Sequence, residues 1–337
     1  METREIAQHM VATKKGILAA DESNPTIKKR LATIDVESSE ETRNSYRELL
    51  FTTDGLEEHI SCAILFDQTL RSSVKDGTPF PEVLKNKGII PGIKVDKGLV
   101  ELPRSYGEKF TQGLDGLKDR LTEYYELGAR FTKWRAVITI GDAIPTSRCI
   151  DVNANFLAMY ASLAQDAGLV PIVEPEVLMN GSHDIDRCEE VTRATLQSVF
   201  FHLYIHKVDI ESMILKPNMI ISGLKCPVQA NSNQVAEATL RCFKQVLPAA
   251  LPGVAFLSGG QSSIVATENL NAINQMGKNL PWKLTFSFGR ALQNQALKTW
   301  QGKAENIQES QKKLHLRAKC NGMASVGEYS SDMEATS

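Results

Sequence analysis

Short apolar runs recur along this chain, and longer stretches with helical spacing of apolar residues lie between them. The runs are Gly16–Asp21 (GILAAD), Cys62–Asp67 (CAILFD), Ile89–Val95 (IIPGIKV), Phe131–Ile138 (FTKWRAVI), Leu169–Val177 (LVPIVEPEV), Met213–Lys216 (MILK), Gly253–Gly260 (GVAFLSGG) and Lys283–Arg290 (KLTFSFGR). Each predicts a strand. The spacing predicts helices over Tyr106–Leu127, Val152–Ala167, His183–Tyr204, Gln234–Val246 and Ile264–Met276. Strands that alternate with helices call for a parallel sheet. A run of eight such units points to an α/β fold of the closed (β/α)8 type, a TIM barrel. The rival, an open doubly wound sheet, would carry a G-x-G-x-x-G turn after its first strand, and that turn is absent. No Pro- or Ser-rich linker divides the chain, so residues 1–320 are expected to form a single barrel domain. Extra C-terminal helices are expected over Ala291–Ala318, broken at Gly302 and stopped by Asn321-Gly322. The small, polar and acidic end of the chain makes residues 321–337 a flexible tail in this reading.

Composition narrows the function classes. The chain has 337 residues and a formal net charge of −2, so neither nucleic acid nor an anionic membrane is indicated as a partner. Its six cysteines form no C-x-x-C pair, which points to free thiols in a reducing compartment, the cytoplasm, with a plastid after removal of a transit peptide as the alternative. No apolar run has the length of a membrane span.

The polar residues crowd at the C-terminal ends of the predicted strands, where barrels of this kind carry their chemistry. They are Asp21, Lys94, Lys133, Arg135, Glu174, Glu176, Lys216, Ser258 and Arg290. Residues two apart on a strand share a face, so Lys133 and Arg135 point one way together, and so do Glu174 and Glu176. Solvated strand ends would explain any one of these charges, but explain their repetition less well. Lys216 stands out in Met213-Ile214-Leu215-Lys216-Pro217-Asn218-Met219. A lysine among apolar neighbours reaches back to solvent, finds a partner or loses its proton. In the last case it becomes a nucleophile suited to imine formation with a carbonyl. Two carboxylates beside several cations suit general acid–base work.

Leu257-Ser258-Gly259-Gly260-Gln261-Ser262 offers open backbone N–H groups just before a helix, and Phe288-Gly289-Arg290 follows on the next strand. Together they read as a phosphate site. Ser23, Lys94 and Arg135 mark a second anion site at the opposite rim. His202 and His206 have an i, i+4 spacing, but aromatic neighbours mark a packed helix. The other histidines (His9, His59, His183 and His315) read as isolated, so no metal site is expected.

Several motifs then carry a resemblance. They are Ile17-Leu18-Ala19-Ala20-Asp21-Glu22-Ser23, Pro91-Gly92-Ile93-Lys94-Val95-Asp96, Lys133-Trp134-Arg135, Val173-Glu174-Pro175-Glu176, Leu215-Lys216-Pro217-Asn218-Met219, Leu257-Ser258-Gly259-Gly260-Gln261-Ser262 and Phe286-Ser287-Phe288-Gly289-Arg290-Ala291-Leu292. From about Ile6 to Tyr329 the chain resembles the class I (Schiff-base) fructose-1,6-bisphosphate aldolases. The resemblance implies a lyase that forms its imine on Lys216, with no cofactor and no metal. It implies Glu174 as acid–base for imine formation, with Glu176 beside it. Asp21 would then act at the C4 hydroxyl, and Lys133 would support charge at the imine. It assigns the C1 phosphate to Ser258, Gly259, Gly289 and Arg290. The C6 phosphate falls to Ser23, Lys94 and Arg135, with Lys29 and Arg30 at the rim.

It further implies phosphorylated sugar substrates, a homotetramer and a place in glycolysis and gluconeogenesis. The rival readings are an imine-forming aldolase for fructose 1-phosphate or sedoheptulose bisphosphate, and a non-catalytic protein-binding scaffold. Two departures stand out. The family often has Ser-Thr-Gly-Ser after Asp-Glu, whereas this chain runs Ser23-Asn24-Pro25-Thr26. The animal enzymes end in a tyrosine, whereas this chain ends Ala335-Thr336-Ser337, with its last tyrosine at Tyr329.

Overall fold

The computed structural model describes residues 2–335. Its strands are β1 (Gly16–Ala20), β2 (Ile60–Leu65), β3 (Ile90–Lys94), β4 (Leu99–Glu101), β5 (Lys109–Thr111), β6 (Phe131–Ile138), β7 (Val170–Val177), β8 (Ile214–Leu215), β9 (Gly253–Phe256) and β10 (Lys283–Phe288). All but β4 and β5 close into a parallel barrel in the order β1-β2-β3-β6-β7-β8-β9-β10, with β10 returning to β1. Each of the eight predicted strands is present.

Two hydrophobic layers follow from the alternation of side chains along the strands. The outward set includes Leu18, Ala20, Trp134, Val173, Leu215 and Phe256, which pack with the surrounding helices in the main core. The inward set includes Ile17, Ala19, Ile64, Phe131, Val170, Ile172, Ile214 and Ala255. The helix Thr3–Met10 closes the N-terminal end of the barrel by adding Ile6, Ala7 and Met10 to this inner cluster. Gly92 is needed here, because a Cβ on it would stand 2.3 Å from the Phe131 ring that fills the interior.

The inward rows change character along each strand. Ile17 and Ala19 lead to Asp21, Phe131 leads to Lys133 and Arg135, Ile172 leads to Glu174 and Glu176, and Ile214 leads to Lys216. The lower barrel is therefore a dry plug and the upper barrel a charged cup.

Two expectations need correction. Tyr106–Leu127 is not one helix. Lys109–Thr111 pairs antiparallel with Leu99–Glu101, and only Leu117–Glu126 is helical. Gly107, Gly113 and Gly116 lie between or beside these pieces at positive φ, which breaks any continuous helix. The C-terminal boundary also moves. After Arg290–Trp300 and the break at Gly302, a helix runs Ile307–Ala324 straight through Asn321-Gly322. Gly322 is a packing glycine here, because its missing Cβ would meet the Lys14 carbonyl at 2.5 Å. The segment expected to be a flexible tail is docked as far as it is described. Tyr329 is buried against the main core and donates to Glu334 at 2.9 Å, while Glu334 pairs with the fully buried Arg317. Thr336 and Ser337 lie outside the described residues. No helix among the described residues is long and apolar enough to cross a membrane.

Candidate active site

The strand ends, with the helices Asn24–Ala32 and Arg290–Trp300, bring all the residues to which the resemblance gives a role to one cavity of about 640 Å³ at the C-terminal mouth of the barrel. Its floor is an unbroken chain of charge contacts. Lys216 Nζ lies 3.4 Å from Glu174 Oε1, Glu174 Oε2 lies 3.3 Å from Lys133 Nζ, and Lys133 Nζ lies 2.7 Å from Asp21 Oδ2. The Lys216, Glu174 and Lys133 side chains are only 5 % exposed, and each polar head offsets its loss of water by facing another. Lys216 has therefore found a carboxylate partner and does not reach out to solvent.

Opposing effects set the ionisation of this floor. Burial pushes the Asp21 carboxyl up, but the charges of Lys133 and Lys216, the hydrogen bond from Lys133 and the charge of Lys94 together hold it at about 2. Burial pushes Lys133 down, and Asp21, Glu174 and Asp96 outweigh that and raise it above the ordinary lysine value. Asp21 is thus a carboxylate and Lys133 an ammonium at neutral pH. Lys133 sits between Asp21 and Glu174 and holds both in place.

The phosphate-site expectation meets a matching geometry. Gly259 and Gly260 follow β9 with φ of +56° and +74°, a pair of left-handed residues that turns successive N–H groups to one side. A Cβ on Gly259 would stand 2.7 Å from Met179 Cε. Arg290 begins the helix Arg290–Trp300, and its Nη2 lies 3.9 Å from the place of a Cβ on Gly260, so the guanidinium stands over the turn. Arg290 is exposed and makes no ion pair or side-chain hydrogen bond among the described residues.

The opposite rim is wired differently. Lys94 donates to Asp96 Oδ1 at 2.6 Å, Arg135 pairs with Glu176, and the Ser23 hydroxyl lies 3.1 Å from that of Thr26. Arg30 departs from its expected place at the rim. It is buried, paired with Glu22, and bonded to Gln293 Oε1 at 3.2 Å and Asn294 Oδ1 at 3.3 Å. It therefore fixes the wall. Lys29 is exposed and makes no ion pair among the described residues.

Other lining residues went unassigned in the sequence. Glu22 is clamped by Arg30 and by Arg47, the latter at 2.8 Å. Burial raises the Glu22 carboxyl, and Arg47 and Arg30 outweigh it and bring it below the ordinary value. Gln293 accepts from Tyr46 at 3.0 Å and donates to the Ala19 carbonyl at 2.7 Å, tying this network to β1 just before Asp21. Ser287 faces the cavity with a buried hydroxyl that has no partner. Asn294 and Lys298 line the cleft at i+4 and i+8 from Arg290, a helical spacing that could have found them.

A barrel that buries a lysine beside a carboxylate at its mouth, under a backbone cradle for phosphate, has the layout of a carbon–carbon lyase working through an imine. The comparisons define the class more closely. The sequence model of the family Fructose-bisphosphate aldolase class-I matches residues 2–337. A protein of Xanthomonas axonopodis pv. citri named "Probable fructose-bisphosphate aldolase class 1" is 55 % identical over 326 residues, covering 96 % of this chain and 97 % of that one. "Fructose-bisphosphate aldolase 6, cytosolic" of Arabidopsis thaliana is 52 % identical, over 94 % of this chain and 88 % of its own. Among solved structures, fructose-bisphosphate aldolase from Plasmodium falciparum, in complex with TRAP and a small-molecule inhibitor, superposes with a TM-score of 0.96 at 50 % identity. That match covers 97 % of this chain and 95 % of the other. The chain belongs to the class I fructose-bisphosphate aldolase family.

Proposed function

We propose that this chain cleaves fructose 1,6-bisphosphate reversibly to dihydroxyacetone phosphate and glyceraldehyde 3-phosphate through an imine on Lys216. The observation that carries the reading is the contact chain Lys216–Glu174–Lys133–Asp21 on the cavity floor. Glu174, 3.4 Å away, takes the proton from Lys216 that frees its amine to attack C2 of the ketose, and relays protons from that nitrogen to the C2 oxygen, which leaves the carbinolamine as water. The resulting iminium is an electron sink. Asp21, already a carboxylate, accepts the C4 hydroxyl proton while the C3–C4 bond breaks and its electron pair moves to C3 as an enamine. Protonation of C3 and hydrolysis of the imine release the second triose and restore the amine. Lys133 supports the charge beside the imine, and Glu176 orients Arg135. No metal enters these steps.

Ser258, Gly259, Gly289 and Arg290 hold the C1 phosphate, and Ser23, Lys29, Lys94 and Arg135 face the C6 phosphate. Holding both ends over one lysine removes most of the orientational freedom from the reacting bond. Cations at both rims favour the bisphosphate over fructose 1-phosphate. Relatives named cytosolic and thiols that are free support a cytoplasmic site. A homo-oligomer, by family resemblance a tetramer, is supported by Phe201, Tyr204 and Ile205, which are 59 %, 80 % and 54 % exposed on one helix. Sedimentation would show a single 37.2 kDa species if that were wrong.

The test of the reaction is covalent. Incubation with dihydroxyacetone phosphate and then borohydride should fix the triose on Lys216, with the cleavage rate unchanged by EDTA. An adduct mapped to Lys133 or Lys94 would reject the assignment.

A further inference from the structure

His59 and His315, isolated in the sequence, are neighbours in the fold. His59 follows the 3₁₀ turn Leu56–Glu58 and immediately precedes β2, and His315 lies midway along the helix Ile307–Ala324. Their rings meet edge to face with centroids 5.4 Å apart. Glu58 completes the group, and one donor atom from each of the three side chains lies within 4.8 Å of the other two.

Three features of the surroundings suit a bound cation. First, His59 Nδ1 is buried and has no hydrogen-bond partner. A buried polar atom left so costs about 1–3 kcal/mol, and a ligand would remove that cost. Second, glycines clear the space around the donors. Gly55 has φ +69°, and a Cβ on it would lie 3.1 Å from His315 Nε2 and 3.5 Å from Glu58 Oε1, so these two donors converge on one spot. A Cβ on Gly322 would lie 3.3 Å from His59 Nδ1. Third, His315 lines an open groove of about 710 Å³, where Asp54 and Glu309 stand among Lys312, Lys313 and Lys319, and the groove gives an ion a way in.

We propose that Glu58, His59 and His315 bind a zinc-class divalent cation that ties the helix Ile307–Ala324 to the turn leading into β2. Two imidazole nitrogens and one carboxylate oxygen are a donor set that Zn²⁺ accepts, with water as the fourth ligand of a tetrahedron. Ca²⁺ and Mg²⁺ prefer all-oxygen sites and are excluded by the two nitrogens. Bonds of about 2.0–2.2 Å need the donors drawn closer than 4.8 Å, and Glu58 is exposed and free to swing inward. The site stands at the N-terminal end of β2, across the barrel from the cleft, so the cation braces the fold and takes no part in cleavage.

The test uses the full chain, stripped with EDTA and titrated with Co²⁺ as a spectroscopic stand-in for Zn²⁺. One ion per chain should bind with the visible absorption of a tetrahedral complex, and Zn²⁺ should raise the melting temperature. His59→Asn and His315→Asn should each weaken binding by about a hundredfold or more while the cleavage rate stays unchanged. Wild-type affinity in both variants, or no stoichiometric binding, overturns the proposal. Should a variant fail to fold, X-ray absorption on the zinc-loaded wild type decides. Two imidazole scatterers support the site, and sulfur scatterers place the ion on cysteines and reject it.

Discussion

The cavity floor and the cavity rim use the same residue types in opposite ways. On the floor, Lys133, Glu174 and Lys216 are buried, Asp21 is mostly covered, and the four face one another as ion pairs. At the rim, Arg290, Lys29 and Lys298 are exposed and have no ion-pair partner among the described residues, while Lys94 and Arg135 are held by Asp96 and Glu176. A buried charge must be paired within the protein, so the floor is organised before substrate arrives. An exposed cation is kept stable by water and stays available to a phosphate. The floor should therefore govern turnover and the rim should govern capture.

The largest break of this contrast is Glu174→Gln. It removes the acid–base group that lies between Lys216 and Lys133 and should lower kcat by about 10²–10⁴-fold with little change in KM. Steady-state kinetics checks it, and a raised KM at unchanged kcat would remove Glu174 from the acid–base role. Arg290→Ala should behave inversely. Loss of a charge-assisted clamp should cost about 1.5–3 kcal/mol of substrate binding, read as a higher KM, with folding stability unaltered.

The floor has a pH signature that the rim lacks. The folded Asp21 carboxyl sits at about 2, against an ordinary value of 3.8. Its contribution to stability is thus complete above about pH 4 and is lost as pH falls through 2, on the order of 2 kcal/mol in all. Denaturant unfolding between pH 5 and pH 2 should show a shallower loss in Asp21→Asn than in the wild type. Equal slopes would mean that Lys133 and Lys216 do not hold Asp21 ionised. The smallest effect is expected far from both regions. Tyr329→Phe removes the hydrogen bond to Glu334 and should cost about 1 kcal/mol of stability while changing kcat by less than about tenfold. A hundredfold loss of kcat, with imine trapping intact, would show that this hydroxyl takes part in the proton transfer at C3.

The barrel and most of its cup could be read locally. Period-2 alternation put Lys133 with Arg135 and Glu174 with Glu176, and strand ends are short-range features of the sequence. The hairpin of β4 and β5 was missed because the apolar residues between Tyr106 and Leu127 keep helical spacing, although glycines interrupt them. Arg30 was expected at the rim on the family resemblance alone. Its use by Glu22, Gln293 and Asn294 depends on a helix at the far end of the chain.

By itself, then, the sequence determined the strand–helix alternation, the inward rows of charge, the glycine turn after β9 and the lysine among apolar neighbours. Each of these is written in residues a few positions apart. Only the tertiary structure decided which charges would be paired and which left free, that Tyr329 would be buried against Glu334, and that His59 would face His315. Those outcomes depend on closing the barrel, which brings β1 against β10 and the C-terminal helix against the turn before β2. Partners joined by such closure are distant along the chain, and no local periodicity records them.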